Sequence, residues 1–90
     1  MSGSNAVVHI SSAVVSVLPH RRDEVLHSLA AMPDLEVHHK NAAKIVIVME
    51  AAESGVIGGR LAEIASWPGV LSANMVFEQV EQLDEIGDLR

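Results

Sequence analysis

No cysteine occurs among the 90 residues, which excludes disulfide frameworks, thiolate zinc sites and cysteine nucleophiles. Tyrosine is missing too, and Phe and Trp occur once each. Reading RNA on a sheet needs aromatics on the central strands for base stacking, so that function falls away. Cations are scarce: six Lys and Arg stand against twelve Asp and Glu, a net charge of −6. Nucleic acid is therefore a poor partner, because binding it requires phosphate neutralisation. Long apolar runs are also lacking. The best candidate, AVVHISSAVVSVL (6–18), has no basic lead and is interrupted by His9, Ser11 and Ser12, unlike a secretion signal. No segment approaches the roughly 20 apolar residues that span a bilayer. There is no GxSxG, P-loop or GxGxxG motif. These gaps lead us to expect a cytoplasmic protein that is not an enzyme and does not insert into membranes.

What remains is greasy. The hydrophobic share is 49 % and the mean hydropathy +0.28, values that suit one small folded domain with a modest core. Charge is unevenly placed. Residues 78–90 carry five acids against Arg90 alone, a net of −4, leaving −2 for the rest. Such a balance favours a cationic partner, although an acidic tail can also simply aid solubility.

Residues 1–5 read as a flexible N-terminus, 6–79 as the folded domain and 80–90 as an acidic tail. A first strand is predicted over about 7–17. Pro19 ends it, and Val25, Leu26, Leu29 and Met32 fall on one face of a helix over 20–32, with Asp23 and Glu24 in its first turn. Pro33 stops that helix. DLEVHHK (34–40) and KIVIVME (44–50) form a hairpin through Asn41. A second helix runs from about Glu53 to Trp67, with Ile57, Leu61 and Ile64 inward. Gly58 and Gly59 should weaken it by roughly 1 kcal/mol each. After Pro68-Gly69 comes a last strand, VLSANMVFE (70–78).

The order βαββαβ, with right-handed crossovers, predicts a ferredoxin-like split βαβ sandwich of class α+β. Its four-stranded antiparallel sheet carries both helices on one face. The strand KIVIVME is apolar on both sides, yet two helices can cover only one face. The alternation places Ala13, Val15, Val17, Leu35, Val37, Ile45, Ile47, Met49, Leu71, Ala73, Met75 and Phe77 under the helices. The open face then carries Ile10, Ser12, Val14, Glu36, His38, Val46, Val48, Ser72, Asn74 and Val76, an area on the order of 300 Å². The first and last strands are apolar on both faces, so one bulge in either would swap its two sets. Exposed apolar patches of this size mark partner sites.

Other chemistry is thin. His38 and His39 point to opposite sides of a strand, and none of the five histidines has ligand spacing to another, so no metal site is expected. Arg21 and Arg22 follow the first strand, where an anion would be held, but without the glycine-rich loop such a site needs.

HISSAVVSVLP (9–19), MPDLEVHHKNAAKIVIVMEA (32–51) and WPGVLSANMVFEQ (67–79) together resemble the NapD family. The shared features are the Ser-Ser of strand one, the proline junction before Glu-Val, the Lys-led apolar strand ending in Glu, and Pro-Gly-Val-Leu-Ser-Ala. The resemblance implies a cytoplasmic chaperone with the ferredoxin-like fold and no cofactor of its own. Its partner would be the twin-arginine signal peptide of the catalytic subunit precursor of periplasmic nitrate reductase. Binding would hold back export until the molybdenum cofactor is loaded.

On the open face we expect Val14, Val46, Val48 and Val76 to form the peptide floor, with Ile10 beside them and Ser12, Ser72 and Asn74 as hydrogen-bonding partners. Glu50, Glu78 or the acids of the tail would meet the arginines, since carboxylates suit guanidinium geometry. The chain is expected to be a monomer or weak dimer. Two other readings stay open: an ACT-like small-ligand module with its site near Pro19–Arg22, and a structural homodimerisation domain burying the open sheet.

Overall fold

The computed structural model describes residues 7–82. Strand β1 (Val7–Val17) leads through a 3-10 turn (Pro19–Arg21) into helix α1 (Arg22–Ala30). Strands β2 (Leu35–Lys40) and β3 (Lys44–Ala51) follow, then helix α2 (Ser54–Ala65) and strand β4 (Val70–Gln82). All neighbouring strands are antiparallel, in the order β2-β3-β1-β4, as the ferredoxin-like reading requires. The expected N-terminal segment 1–5 and residues 83–90 of the expected tail lie outside the described residues. Strand β4 continues to Gln82, past the expected end at Glu78.

Local chemistry explains the joints. In the β2–β3 hairpin, Asn41 Oδ1 accepts from the Ala43 and Lys44 amides at 3.0 and 2.9 Å. The side chain thus supplies the turn's missing acceptor. At the end of α2, Ser66 Oγ donates to the Glu63 carbonyl at 2.6 Å. Gly69 then takes φ +89°, a left-handed conformation that favours glycine. A Cβ there would also lie 2.7 Å from Arg21 Cβ, so this turn needs glycine for space as well as for torsion.

The core is one layer deep. Ala13, Val15 and Val17 of β1 and Ile45, Ile47 and Met49 of β3 are buried against Val25, Leu29, Ile57 and Ile64 of the two helices. Each fully buried aliphatic of this size contributes about 1.5–3 kcal/mol of transfer free energy. Leu26, Met32 and Leu61 are only partly buried at its margin. Gly58 and Gly59 lie on the outer surface of α2, where an added Cβ would meet nothing within 4 Å.

Register shifts change the expected alternation in two strands. In β4 the pairing to β1 jumps between Ser12 and Ala13: Ala13 faces Met75, but Ser12 faces Phe77. The inserted residue is Val76. Because side chains alternate with period two, one extra residue sends everything after it to the other side. Phe77 therefore sits on the open face rather than under the helices. A second shift between Ser16 and Val17 leaves Leu71 as an extra residue, 64 % exposed rather than in the core. In β2 a shift between Val37 and His39 pairs His39 with Val46 and so adds His39 to the open face, while His38 Nε2 lies 3.4 Å from Oε1 of the open-face Glu36.

Candidate functional site

Pairing places side chains of partnered residues on one face, so the register lays out the open face in rows along β1. At one end Val8 stands beside Glu81. Next come Glu50, Ile10 and Gln79, then Glu36, Val48, Ser12 and Phe77. His39, Val46, Val14 and Asn74 form the fourth row, and Lys44, Ser16 and Ser72 the last. Of the expected site residues, Ile10, Ser12, Val14, Val46, Val48, Ser72 and Asn74 come together, with Glu50 at their margin. Val76 occupies the bulge and is 61 % exposed. Glu78 is placed apart from them: it pairs with Ser11, and its Oε2 lies 3.4 Å from Nδ1 of His9 on the opposite side of the sheet.

The floor is apolar but not deeply hidden. Ile10, Val14, Val46 and Val48 are half-buried by their neighbours alone, and the Ser-Ser pair splits its duties across the sheet. Ser11 points into the helix side and is fully buried; Ser12 points out. Phe77 rises from this floor of valine and serine, 56 % exposed, as the chain's single phenylalanine. Strand alternation could not find it, because a bulge leaves no periodic signal. The sequence clue is the unbroken run Met75-Val76-Phe77, which fits no two-sided pattern.

The margins are charged. At the start of β2, Asp34 Oδ2 accepts from Arg60 Nε at 3.1 Å, tying α2 to the α1–β2 connection. The hydrogen bond and the charge of Asp34 raise the Arg60 pKa above its ordinary value. Pro33, Asp34, Leu35, Glu36, Val48 and Glu50 line a pocket of about 190 Å³ where this edge meets the open face. A larger cavity of about 490 Å³ lies off the sheet, between Arg21, Glu24, Val25 and Ser28 on one side and Trp67 and Pro68 on the other. Among the described residues, no group of three His, Asp or Glu side chains is placed to hold a metal ion. No helix among them is long and apolar enough to cross a membrane.

Comparison with known proteins agrees with this architecture. A family model described as "NapD protein" matches residues 8–82. The chain is 42 % identical over 83 residues to the "Chaperone NapD" of Paracoccus pantotrophus, covering 92 % of this chain and 74 % of that protein. Among solved structures it is similar to the solution structure of the E. coli Tat proofreading chaperone protein NapD. There the TM-score is 0.72 at 26 % identity, over 80 % of this chain and 78 % of the other.

Proposed function

The chain belongs to the NapD family, and from that premise we propose that it is a chaperone for a twin-arginine signal peptide, bound on the open sheet face. The partner is the signal peptide of the catalytic subunit precursor of periplasmic nitrate reductase, engaged in the cytoplasm and held back from export until its cofactor is loaded. The relatives are named as chaperones rather than as enzymes. Catalysis is not part of this reading.

One observation carries the site. Both helices pack on the same side of the sheet, leaving Val14, Val46, Val48 and Phe77 with nothing of the described chain above them. A twin-arginine signal joins a cationic leading segment to an apolar stretch of about 7–15 residues. Its apolar stretch matches the floor, and its arginines match Glu50 and Glu36. As a helix it would be about 10 Å wide and lie over the central strands as an amphipathic helix lies in a groove. Ser12 in the middle of the floor and Ser72 and Asn74 on the flanking strand β4 offer hydrogen bonds.

The test is an NMR titration of labelled protein with the Arg-Arg peptide and a Lys-Lys control. Shifts concentrated on Val46, Val48, Ser72 and Phe77, weaker with the control, are expected. Shifts confined to the helices would remove the open face as the site. Absence of binding at high micromolar peptide would remove the chaperone function itself.

A further inference from the structure

The open face has an electrostatic direction. Glu81, Glu50 and Glu36 occupy the three rows nearest the start of β1, and Lys44 occupies the row at its other end, with His39 in the row before. Between them lie Ile10, Val48, Ser12, Phe77, Val46 and Val14, none of them charged. Rows are about 6.8 Å apart, so the five rows cover about 27 Å, the length of roughly 18 helical residues. Across the four strands, three spacings of about 4.8 Å leave room for far fewer. Length and charge gradient therefore run along the same axis.

We infer that the signal peptide lies along β1 and runs in the same direction as that strand. Its cationic leading segment rests against Glu81, Glu50 and Glu36, and its apolar stretch passes over Val48, Phe77, Val46 and Val14 toward Lys44. The inference rests on the proposed function above and adds the polarity of binding. The reverse orientation sets arginines against Lys44 and places apolar side chains over the acidic end. There, among the described residues, Glu36 has only His38 beside it and Glu81 only the Gln79 amide, and no cation meets Glu50. A helical peptide reinforces the choice. Its N-terminal dipole end is positive and meets the acids, while its negative C-terminal end meets Lys44.

Paramagnetic broadening reads this direction. The full chain contains no cysteine, so a nitroxide on a single cysteine of the peptide labels the peptide alone. A label at the peptide's N-terminus is expected to broaden the amides of Ile10, Glu50 and Gln79. A label just after the apolar stretch is expected to broaden those of Ser16, Lys44 and Ser72. The opposite pattern, or equal broadening at both ends, overturns the direction and leaves the chaperone function standing. If neither peptide shifts or broadens any resonance, the parent function fails and this inference with it. As a second readout, Glu50→Gln should weaken Arg-Arg peptide binding about fivefold, whereas Glu24→Gln on α1 should not. Equal effects of the two substitutions count against the acidic end as the arginine site.

Discussion

Replacing Phe77 with alanine separates the face on which this side chain sits from the face that the strand's simple alternation would give it. A phenylalanine buries roughly 150–250 Å² when fully covered, and in the free protein 56 % of Phe77 is exposed. A docked peptide can therefore remove roughly 100 Å² more, worth about 2.5 kcal/mol at 25 cal/mol per Å². Ordering the ring and the peptide side chains it touches takes back about 0.5–1.5 kcal/mol. Phe77→Ala should then weaken peptide binding by about 1–2 kcal/mol, or roughly five- to thirtyfold in Kd. The free protein should hardly notice, losing no more than about 1 kcal/mol, because the ring fills no core position. Isothermal titration calorimetry with the Arg-Arg peptide gives the first quantity, and urea unfolding of the free protein the second. An unchanged Kd would refute Phe77 as a peptide contact. A stability loss of about 3–5 kcal/mol, the cost of emptying a core phenylalanine site, would refute the bulged register instead.

Four further substitutions test the fold beneath the site. Ile47 is fully buried between the sheet and the helices, so Ile47→Ala should cost about 2–5 kcal/mol in urea unfolding, clearly more than Val48→Ala on the half-buried opposite face. Gly69→Ala should destabilise by about 1 kcal/mol or more, because the positive φ and the Arg21 side chain both oppose a Cβ. Gly58→Ala, with nothing within 4 Å, should instead stabilise by about 0.5–1 kcal/mol through helix propensity. Asp34→Ala removes the partner that raises the Arg60 pKa. A cation whose folded pKa is raised contributes stability that is complete below its unfolded pKa and is lost only as pH rises through the folded one. For arginine that window lies above about pH 12. The small loss caused by Asp34→Ala should therefore be the same at about pH 7 and about pH 10, a comparison of two urea midpoints.

A signal-peptide chaperone has to bind a segment that is both apolar and cationic without presenting an aggregation surface of its own. The open face, as the proposed site, would meet both demands. Its floor is built mainly from valine and serine rather than leucine or large aromatics, so each exposed residue adds little apolar area. The single large ring, Phe77, is set among serine, valine and glutamine neighbours. Acidic side chains at one end keep the face soluble and suit a cationic ligand. The edge strand β2 carries Glu36, His38, His39 and Lys40, charges and imidazoles that discourage strand addition there.

Much of this was legible in the order of residues alone. Proline and glycine at the junctions and the apolar periodicity of each segment set the element order, and right-handed crossovers then allow few arrangements of it. The two-sided greasiness of residues 45–49 required a covered face and an open one, because the sequence pattern offers only two amphipathic helices to cover it, and the described residues hold those two α-helices. Strand β3 has no bulge in its pairing to β1, so Val46, Val48 and Glu50 fell where alternation put them. The positions of Phe77, Glu78, His39 and Leu71 were decided only by the tertiary structure. Each follows or forms a register shift, and a bulge depends on how two strands meet rather than on the composition of either. Periodicity tells which residues share a face only until the first inserted residue; beyond it, the partner strand decides.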